Sequence, residues 1–244
     1  QTTIKLEDFK VDLGQALSLS ELVEQVGPDR GEPRFASKVE LPDPPADQVE
    51  FVKGFENIDV EFSGGKDSLL ALLWTRQVAE ALGKTIEVRF VETGAEFPCL
   101  SSYVRRLCAD QGLELRVMAP KESILTHYIK KGTWPDPIFR DCQHRFINEV
   151  LDAGTKTDPA KTLKIRGGRP EQKVAKTPKA AYVKTSLGFL LFAPYFDTPL
   201  EEYKALLKKV EPLRWPGYDR GFLRTACWLC PFQPHEQWDA MKAN

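Results

Sequence analysis

The stretch Asn57–Gly83, NIDVEFSGGKDSLLALLWTRQVAEALG, sets the tightest limits on what this chain can fold into. Ile58, Val60 and Phe62 alternate with polar residues, which predicts a short strand with one buried face. The run breaks at Ser63-Gly64-Gly65. A helix should follow, because Leu69, Leu70, Leu72, Leu73 and Val78 return on one side. Asp67 or Ser68 is expected to cap its start and Gly83 its end. Strand, glycine turn and helix start together make an anion site. Backbone N–H groups point outward, the helix dipole is positive there, and glycine lets a phosphate approach the chain. The spacing is not the G-x-x-x-x-G-K-[ST] phosphate loop.

Further strands are expected at Ile86–Thr93 and Leu113–Met118, with a helix at Tyr103–Cys108 between them. Another strand is expected at Leu163–Arg166, an apolar strand or turn-bounded run at Leu190–Phe196, and an amphipathic helix at Pro199–Val210. Strands alternating with helices argue a doubly wound, mostly parallel α/β sheet. Ligands of such sheets lie beyond the carboxyl ends of the strands. Residues 1–50 carry little pattern beyond a short helix at Leu17–Val26 and a proline-punctuated loop, and read as an N-terminal extension. Residues 51–200 then form the nucleotide-binding domain, and 201–244 a helical, cysteine-bearing segment packed on it.

SGGKDS, Ser63 to Ser68, resembles the pyrophosphate loop of the adenine-nucleotide α-hydrolase superfamily. VETGAEFP followed by Tyr103-Val104 resembles the DTG-x-x-FPET-x-x-Y-V segment of its phosphoadenylyl-sulfate (PAPS) reductase branch. It departs from that pattern at Glu92, where Asp is usual, and at Cys99, where Glu is common. The resemblance implies a Rossmann-like fold and a site for ATP or an adenylyl sulfate. It assigns nucleotide binding to Ser63, Gly64, Gly65, Lys66, Asp67, Ser68, Glu92, Thr93 and Gly94. In Gly167-Gly168-Arg169 it implies the branch's G-x-R segment, which adds Arg166, Gly168 and Arg169. Lys66, Asp67 and Arg169 take the catalytic roles, with Mg²⁺ a further expected ligand.

Cys142 lies at an expected helix start between Arg140 and Arg145, a setting that stabilises a thiolate. Cys227 and Cys230 are in C-x-x-C spacing, which lets two sulfurs bind one metal from a tight turn. One mid-chain cysteine with a late C-x-x-C resembles the iron–sulfur members of the branch, including the DNA phosphorothioation proteins. The resemblance implies a 4Fe–4S cluster on Cys142, Cys227 and Cys230, with one iron open to carry sulfide. Cys99 is the better candidate for a fourth ligand, and Cys108 reads as core. A thiolate-held zinc is the alternative.

Span 156–185 carries Lys156, Lys161, Lys164, Arg166, Arg169, Lys173, Lys176, Lys179 and Lys184 against Asp158 and Glu171. It reads either as a solvated loop or as a polyanion contact. The formal net charge of −1 gives no global basic field toward nucleic acid. No run approaches the roughly 18 apolar residues of a membrane span. Five cysteines, an odd number in 244 residues, do not look like a disulfide framework and favour a reducing cytoplasm.

The reductases of the branch attack sulfur with a cysteine in a C-terminal E-C-G-x-H segment. This chain shows none, running out as HEQWDAMKAN. The expectation is therefore an ATP-dependent sulfurtransferase that adenylates an acceptor and then delivers sulfur. A sulfur- or electron-donor protein is the expected partner, and a nucleic acid one class of acceptor. A reductase of adenylyl sulfates and a non-catalytic nucleotide-binding subunit are the alternatives.

Overall fold

The computed structural model describes residues 35, 37–97, 99–135, 141–168, 181–225, 227–228 and 230–243. The expected helix at Leu17–Val26 lies outside them, as do Arg140 and, from the basic span, Arg169, Lys173, Lys176 and Lys179. Helix α1 (Ala46–Lys53) leads into β1 (Asn57–Glu61), α2 (Lys66–Leu82), β2 (Glu87–Val91), α3 (Leu100–Asp110), β3 (Glu114–Met118) and α4 (Ile124–Lys131). Next comes α5, built from Asp141–Gln143, a π-helical turn His144–Asn148 and Glu149–Gly154. Strands β4 (Thr162–Arg166), β5 (Tyr182–Lys184) and β6 (Leu190–Phe192) precede α6 (Leu200–Lys209). A 3₁₀ turn at Pro216–Arg220 and α7 (His235–Ala243) follow.

The six strands form one sheet in the order β3-β2-β1-β4-β6-β5, parallel except for β5, which runs against β6. This is the expected α/β architecture. Strand β1 pairs with β2 on one side and β4 on the other, so the chain reverses its direction of travel across the sheet there. A crevice opens at such a switch point, beyond the strand ends.

The two sheet faces are chemically unlike. Ile58, Val60, Phe62, Val88, Phe90, Leu163 and Ile165 are buried in one apolar cluster with α2, α3 and α6. Leu69, Leu70 and Leu72 of α2 are fully buried there, each worth roughly 1.5–3 kcal/mol of transfer free energy. Tyr203, Leu206, Leu213 and Trp215 join the same cluster. The alternate residues Asp59, Glu61, Arg89 and Lys164 are also buried, and they pair with one another. Register sets Asp59 opposite Glu87, a like-charge contact. Arg89 bridges the two, 2.9 Å from Asp59 Oδ2 and 2.6 Å from Glu87 Oε1. Lys164 pairs with Asp152 of α5, and Arg166 donates from Nε and Nη2 to Glu61 Oε2 at 2.8 and 2.6 Å.

These pairs correct the sequence reading of the basic span. Lys161 bonds Glu56, Lys164 is buried against Asp152, and Arg166 is held by Glu61. In a linear sequence these cations look unopposed because their partners are Glu56, just before β1, Glu61 of β1 itself and Asp152 of α5. A second correction concerns α2, which starts at Lys66 with Gly65 as its N-cap, earlier than an Asp67 or Ser68 cap allows. Its end at Gly83, in the left-handed conformation, is as expected.

Strand β4 ends against the first turn of α2. A Cβ on Gly167 would lie 2.4 Å from the Asp67 carbonyl carbon and 2.5 Å from the Ser68 nitrogen, both backbone atoms that cannot swing aside. At Gly168 the nearest atom is 3.9 Å away. Gly167→Ala should therefore cost about 1–3 kcal/mol in urea denaturation, as overpacking does, and Gly168→Ala much less.

Burial raises the Asp59 pKa to about 6, more than the Arg89 charge lowers it. No donor among the described residues is aligned for a hydrogen bond to its Oδ2. A carboxyl whose folded pKa lies above its unfolded value takes up a proton on folding, so its contribution to stability grows as pH falls. Wild type should gain stability relative to Asp59→Asn as pH drops from 7 through about 6 toward 4, read as the difference in Tm.

Candidate functional site

The turn Ser63-Gly64-Gly65 leaves β1 and enters α2 at the carboxyl edge of the sheet. Gly64 has φ +75°, and a side chain there would also strike Leu100 Cδ1 at 2.8 Å, so only glycine fits. The two serines close the turn. Ser68 Oγ donates to the Gly65 carbonyl at 2.9 Å and accepts the Ser63 N–H at 3.2 Å. Its single proton is thus used, and in the 3.0 Å Ser63–Ser68 hydroxyl pair Ser63 is the donor.

Two tyrosines from the C-terminal third hold the start of α2. The Lys66 N–H donates to Tyr218 Oη at 3.2 Å, and Lys66 Nζ lies 5.9 Å from the centre of the same ring. Tyr203 Oη donates to Asp67 Oδ1 at 2.7 Å. Asp67 is therefore tied to α6, and its carboxylate helps orient the loop. Neither tyrosine stands out in the sequence, because each acts from well over a hundred residues away.

The loop after β2 supplies the opposite wall. Glu96 accepts from Thr93 N at 2.8 Å, Thr93 Oγ1 at 2.5 Å and Gly94 N at 3.0 Å. Glu92 turns away and pairs with Arg105 on α3 at 2.8 Å. The backbone of Glu96 forms an antiparallel bridge with Cys227, and the Trp228 N–H donates to the Ala95 carbonyl at 2.8 Å. The nucleotide-like loop and the C-x-x-C segment are thus in direct contact.

A cavity of about 380 Å³ lies between these walls. Of the residues expected to bind nucleotide, Ser63, Ser68, Thr93, Arg166 and Gly168 line it. Gly64, Gly65, Lys66, Asp67, Glu92 and Gly94 are not on its lining; the first four build and anchor the turn behind it. Arg169 lies outside the described residues. Glu96 and Thr225 line the cavity without having been singled out from sequence, and Glu61 and Arg89 form part of its charged floor. Gln143, Ile147 and Asn148 reach it from α5, the last two from its π-helical turn, a distortion frequent at functional sites.

Cys227 opens into the same cavity. Cys142 and Cys227 pack against one apolar group, Ala95, Ile124, Tyr128 and Phe146. The thiols of Cys142, Cys227 and Cys230 lie within electrostatic range of one another. Burial pushes Cys227 up to about 12, with the Cys230, Glu96 and Cys142 charges adding to it. Burial also raises Cys142, with the Cys230 and Asp141 charges adding to it, and of the two arginines expected to stabilise its thiolate, Arg145 is not among the charges acting on it and Arg140 lies outside the described residues. Arg145 lies instead 6.0 Å from the Phe146 ring centre. Arg224 Nη2 lies 4.0 Å from Cys230 Sγ.

Soft sulfur donors from two segments, α5 and the C-x-x-C turn, suit a thiolate-held centre. Among the described residues, however, no three Cys, His, Asp or Glu side chains are close enough to hold an ion as they stand. Cys99 caps α3 with φ +67°, and burial raises its thiol while Arg220 opposes. Neither it nor Cys108, fully buried in the core, is among the charges acting on Cys142 and Cys227. No helix among the described residues is long and apolar enough to cross a membrane.

An uncharacterized protein of Methanocaldococcus jannaschii is 26% identical over 179 residues, which is 71% of this chain and 41% of that protein. The chain thus spans less than half of that relative's length. A phosphoadenylyl-sulfate reductase from Candida auris, solved as a phosphate complex, superposes with a TM-score of 0.53 at 16% identity. The match covers 80% of this chain and 99% of that one. An FMN adenylyltransferase from Candida glabrata, in complex with FAD and inorganic pyrophosphate, also gives 0.53, at 12% identity over 86% of this chain and 69% of that one. Both share the fold. The model of the phosphoadenosine phosphosulfate reductase domain matches residues 57–233, and with that span covered the chain belongs to the phosphoadenosine phosphosulfate reductase domain family.

Proposed function

We propose that this chain is an ATP-dependent sulfurtransferase that adenylates an oxygen of its acceptor and then replaces AMP by sulfur. One observation carries the reading: a single cavity is lined by Ser63 and Ser68 of the glycine turn and by Cys227 of the C-x-x-C segment. A nucleotide activated at one wall lies within reach of sulfur chemistry at the other. The reaction balances as acceptor-OH plus ATP giving acceptor-O-AMP and pyrophosphate, then acceptor-O-AMP plus sulfide giving acceptor-SH and AMP. No electrons are exchanged, so the donor partner need supply only sulfide.

In this reading the backbone N–H groups of the turn and the Ser63 and Ser68 hydroxyls bind the β- and γ-phosphates. The Lys66 amide now bonds Tyr218, so an incoming phosphate oxygen shares or displaces that hydroxyl. Lys66 Nζ offsets charge on the departing pyrophosphate, while Asp67, fixed by Tyr203, keeps the turn in register. Mg²⁺ arrives with the ATP. Arg166 is aimed along the cavity wall by its two bonds to Glu61, and Arg166 and Arg169 act on the α-phosphate or the acceptor. Cys142, Cys227 and Cys230 would hold the metal centre once drawn together, a 4Fe–4S cluster being the form that suits three thiolates. When bound, such a centre supplies an open soft position for sulfide. The acceptor is a hydroxyl- or carbonyl-bearing molecule, with nucleic acid one class to screen.

A reductase of adenylyl sulfates is the second reading, favoured by the family match over 57–233. Protein purified without oxygen should absorb broadly near ~400 nm and contain about four irons and four sulfides per chain. Cys227→Ala should lose the colour, and ATP with a screened acceptor should release pyrophosphate. Reduction of an adenylyl sulfate without pyrophosphate release from ATP would establish the second reading. One zinc, no colour and no pyrophosphate would remove the first.

A further inference from the structure

We propose that Glu96 is a positioning residue that ties the cysteine segment to the nucleotide wall, so that occupancy of the cavity is felt across the bridge at Trp228. Three observations meet on this side chain. Its carboxylate takes both amides and the hydroxyl of the Thr93-Gly94 turn, three donors on two oxygens. Its own backbone is paired with Cys227, and the next rung of that contact is Trp228 N–H to Ala95 C=O at 2.8 Å. The Thr93 hydroxyl donates its proton to the Glu96 carboxylate and lies near the Cys227 sulfur.

Among the described residues, the other hydrogen bonds of the cysteine turn come from its own side. Gln233 Nε2 donates to the Cys227 and Trp228 carbonyls at 2.8 Å each, and Arg224 Nη2 to the Phe232 carbonyl at 2.7 Å. Those bonds shape the turn but do not connect it to β2. The connection runs through 93–96, whose turn is closed by the Glu96 carboxylate. Thr93 is buried and lines the cavity, so a ligand pressing on it acts on the same carboxylate that holds the bridge. A charge-assisted acceptor for backbone amides is among the stronger single hydrogen-bonding groups, so removal of the Glu96 carboxylate takes the most from the link. Coupling of this kind is reciprocal: whatever stabilises the bridge also favours the nucleotide-bound wall.

The test is hydrogen–deuterium exchange of the full chain, read at the Trp228 amide by fragmentation mass spectrometry. It has two arms. Without nucleotide, Glu96→Ala should speed Trp228 exchange about tenfold while β4 amides keep wild-type rates, and Glu96→Gln, which retains one acceptor oxygen, should fall between. Unchanged Trp228 exchange in Glu96→Ala overturns the tie, as does an equal acceleration in β4, which would mean general loosening.

The second arm rests on the nucleotide reading above and uses ATP with Mg²⁺, its binding followed in parallel by calorimetry. Bound ATP should slow Trp228 exchange severalfold in wild type and leave it unchanged in Glu96→Ala at equal occupancy. Slowing in both proteins alike overturns the role of Glu96, and no slowing in wild type with ATP bound overturns the coupling. If calorimetry shows no ATP binding, the nucleotide reading and the coupling fall together, and the first arm still decides whether Glu96 makes the tie.

Discussion

The parallel pairing of β1 with β2 on one side and β4 on the other is the constraint on which the remaining structure depends. Parallel neighbours release their loops at the same edge, so the turn after β1, the loop after β2 and Gly167-Gly168 after β4 emerge together. Backbone contact then fixes their spacing. Gly167 lies against the Asp67 and Ser68 backbone, and Gly64 lies against Leu100 at the start of α3. Each approach is closer than a side chain permits, so three loops from distant parts of the chain share one small cavity.

The sheet carries charge where most parallel sheets are apolar. Burying an ion is costly unless it is paired and hydrogen-bonded, and removal of one partner leaves the other stranded. Arg89 answers two carboxylates, Lys164 answers Asp152, and Arg166 is held by Glu61 at the cavity floor. Asp59 has an ion-pair partner but no aligned donor, and there burial outweighs attraction. This network points polar groups toward the cavity end of β1, β2 and β4 while the opposite face packs against α2 and α6. The same alternation of side chains thus serves the core and the site.

The cysteine region follows a different rule. Burial raises Cys142 and Cys227, and the other sulfurs add to the effect, so neutral thiols are favoured in the protein alone. A bound cation reverses this balance, because coordination favours the thiolate. Two walls of the cavity therefore differ in character: one presents amides and hydroxyls suited to phosphate, the other sulfur in an apolar setting.

The local pattern was sufficient for much of this. Alternation in β1, the glycine turn and the leucines of α2 specified a strand–turn–helix because those signals span only a few residues. The SGGKDS and VETGAEFP segments marked two walls of the cavity for the same reason. Other features depend on partners far along the chain. The cations Lys161, Lys164 and Arg166 looked like a free basic run until Glu56, Asp152 and Glu61 supplied their counter-charges. Tyr203 and Tyr218 carry no sequence signal for holding Asp67 and the Lys66 amide. Glu96 lay within a quoted segment, yet its bridge to Cys227 joins residues more than a hundred positions apart. What the sequence by itself determined is the set of elements and the chemical character of each loop, because periodicity and backbone freedom are local properties. Only the tertiary structure decided which loops meet, which charges are neutralised and which thiol faces the cavity, because those outcomes depend on the pairing of strands and the burial that pairing imposes.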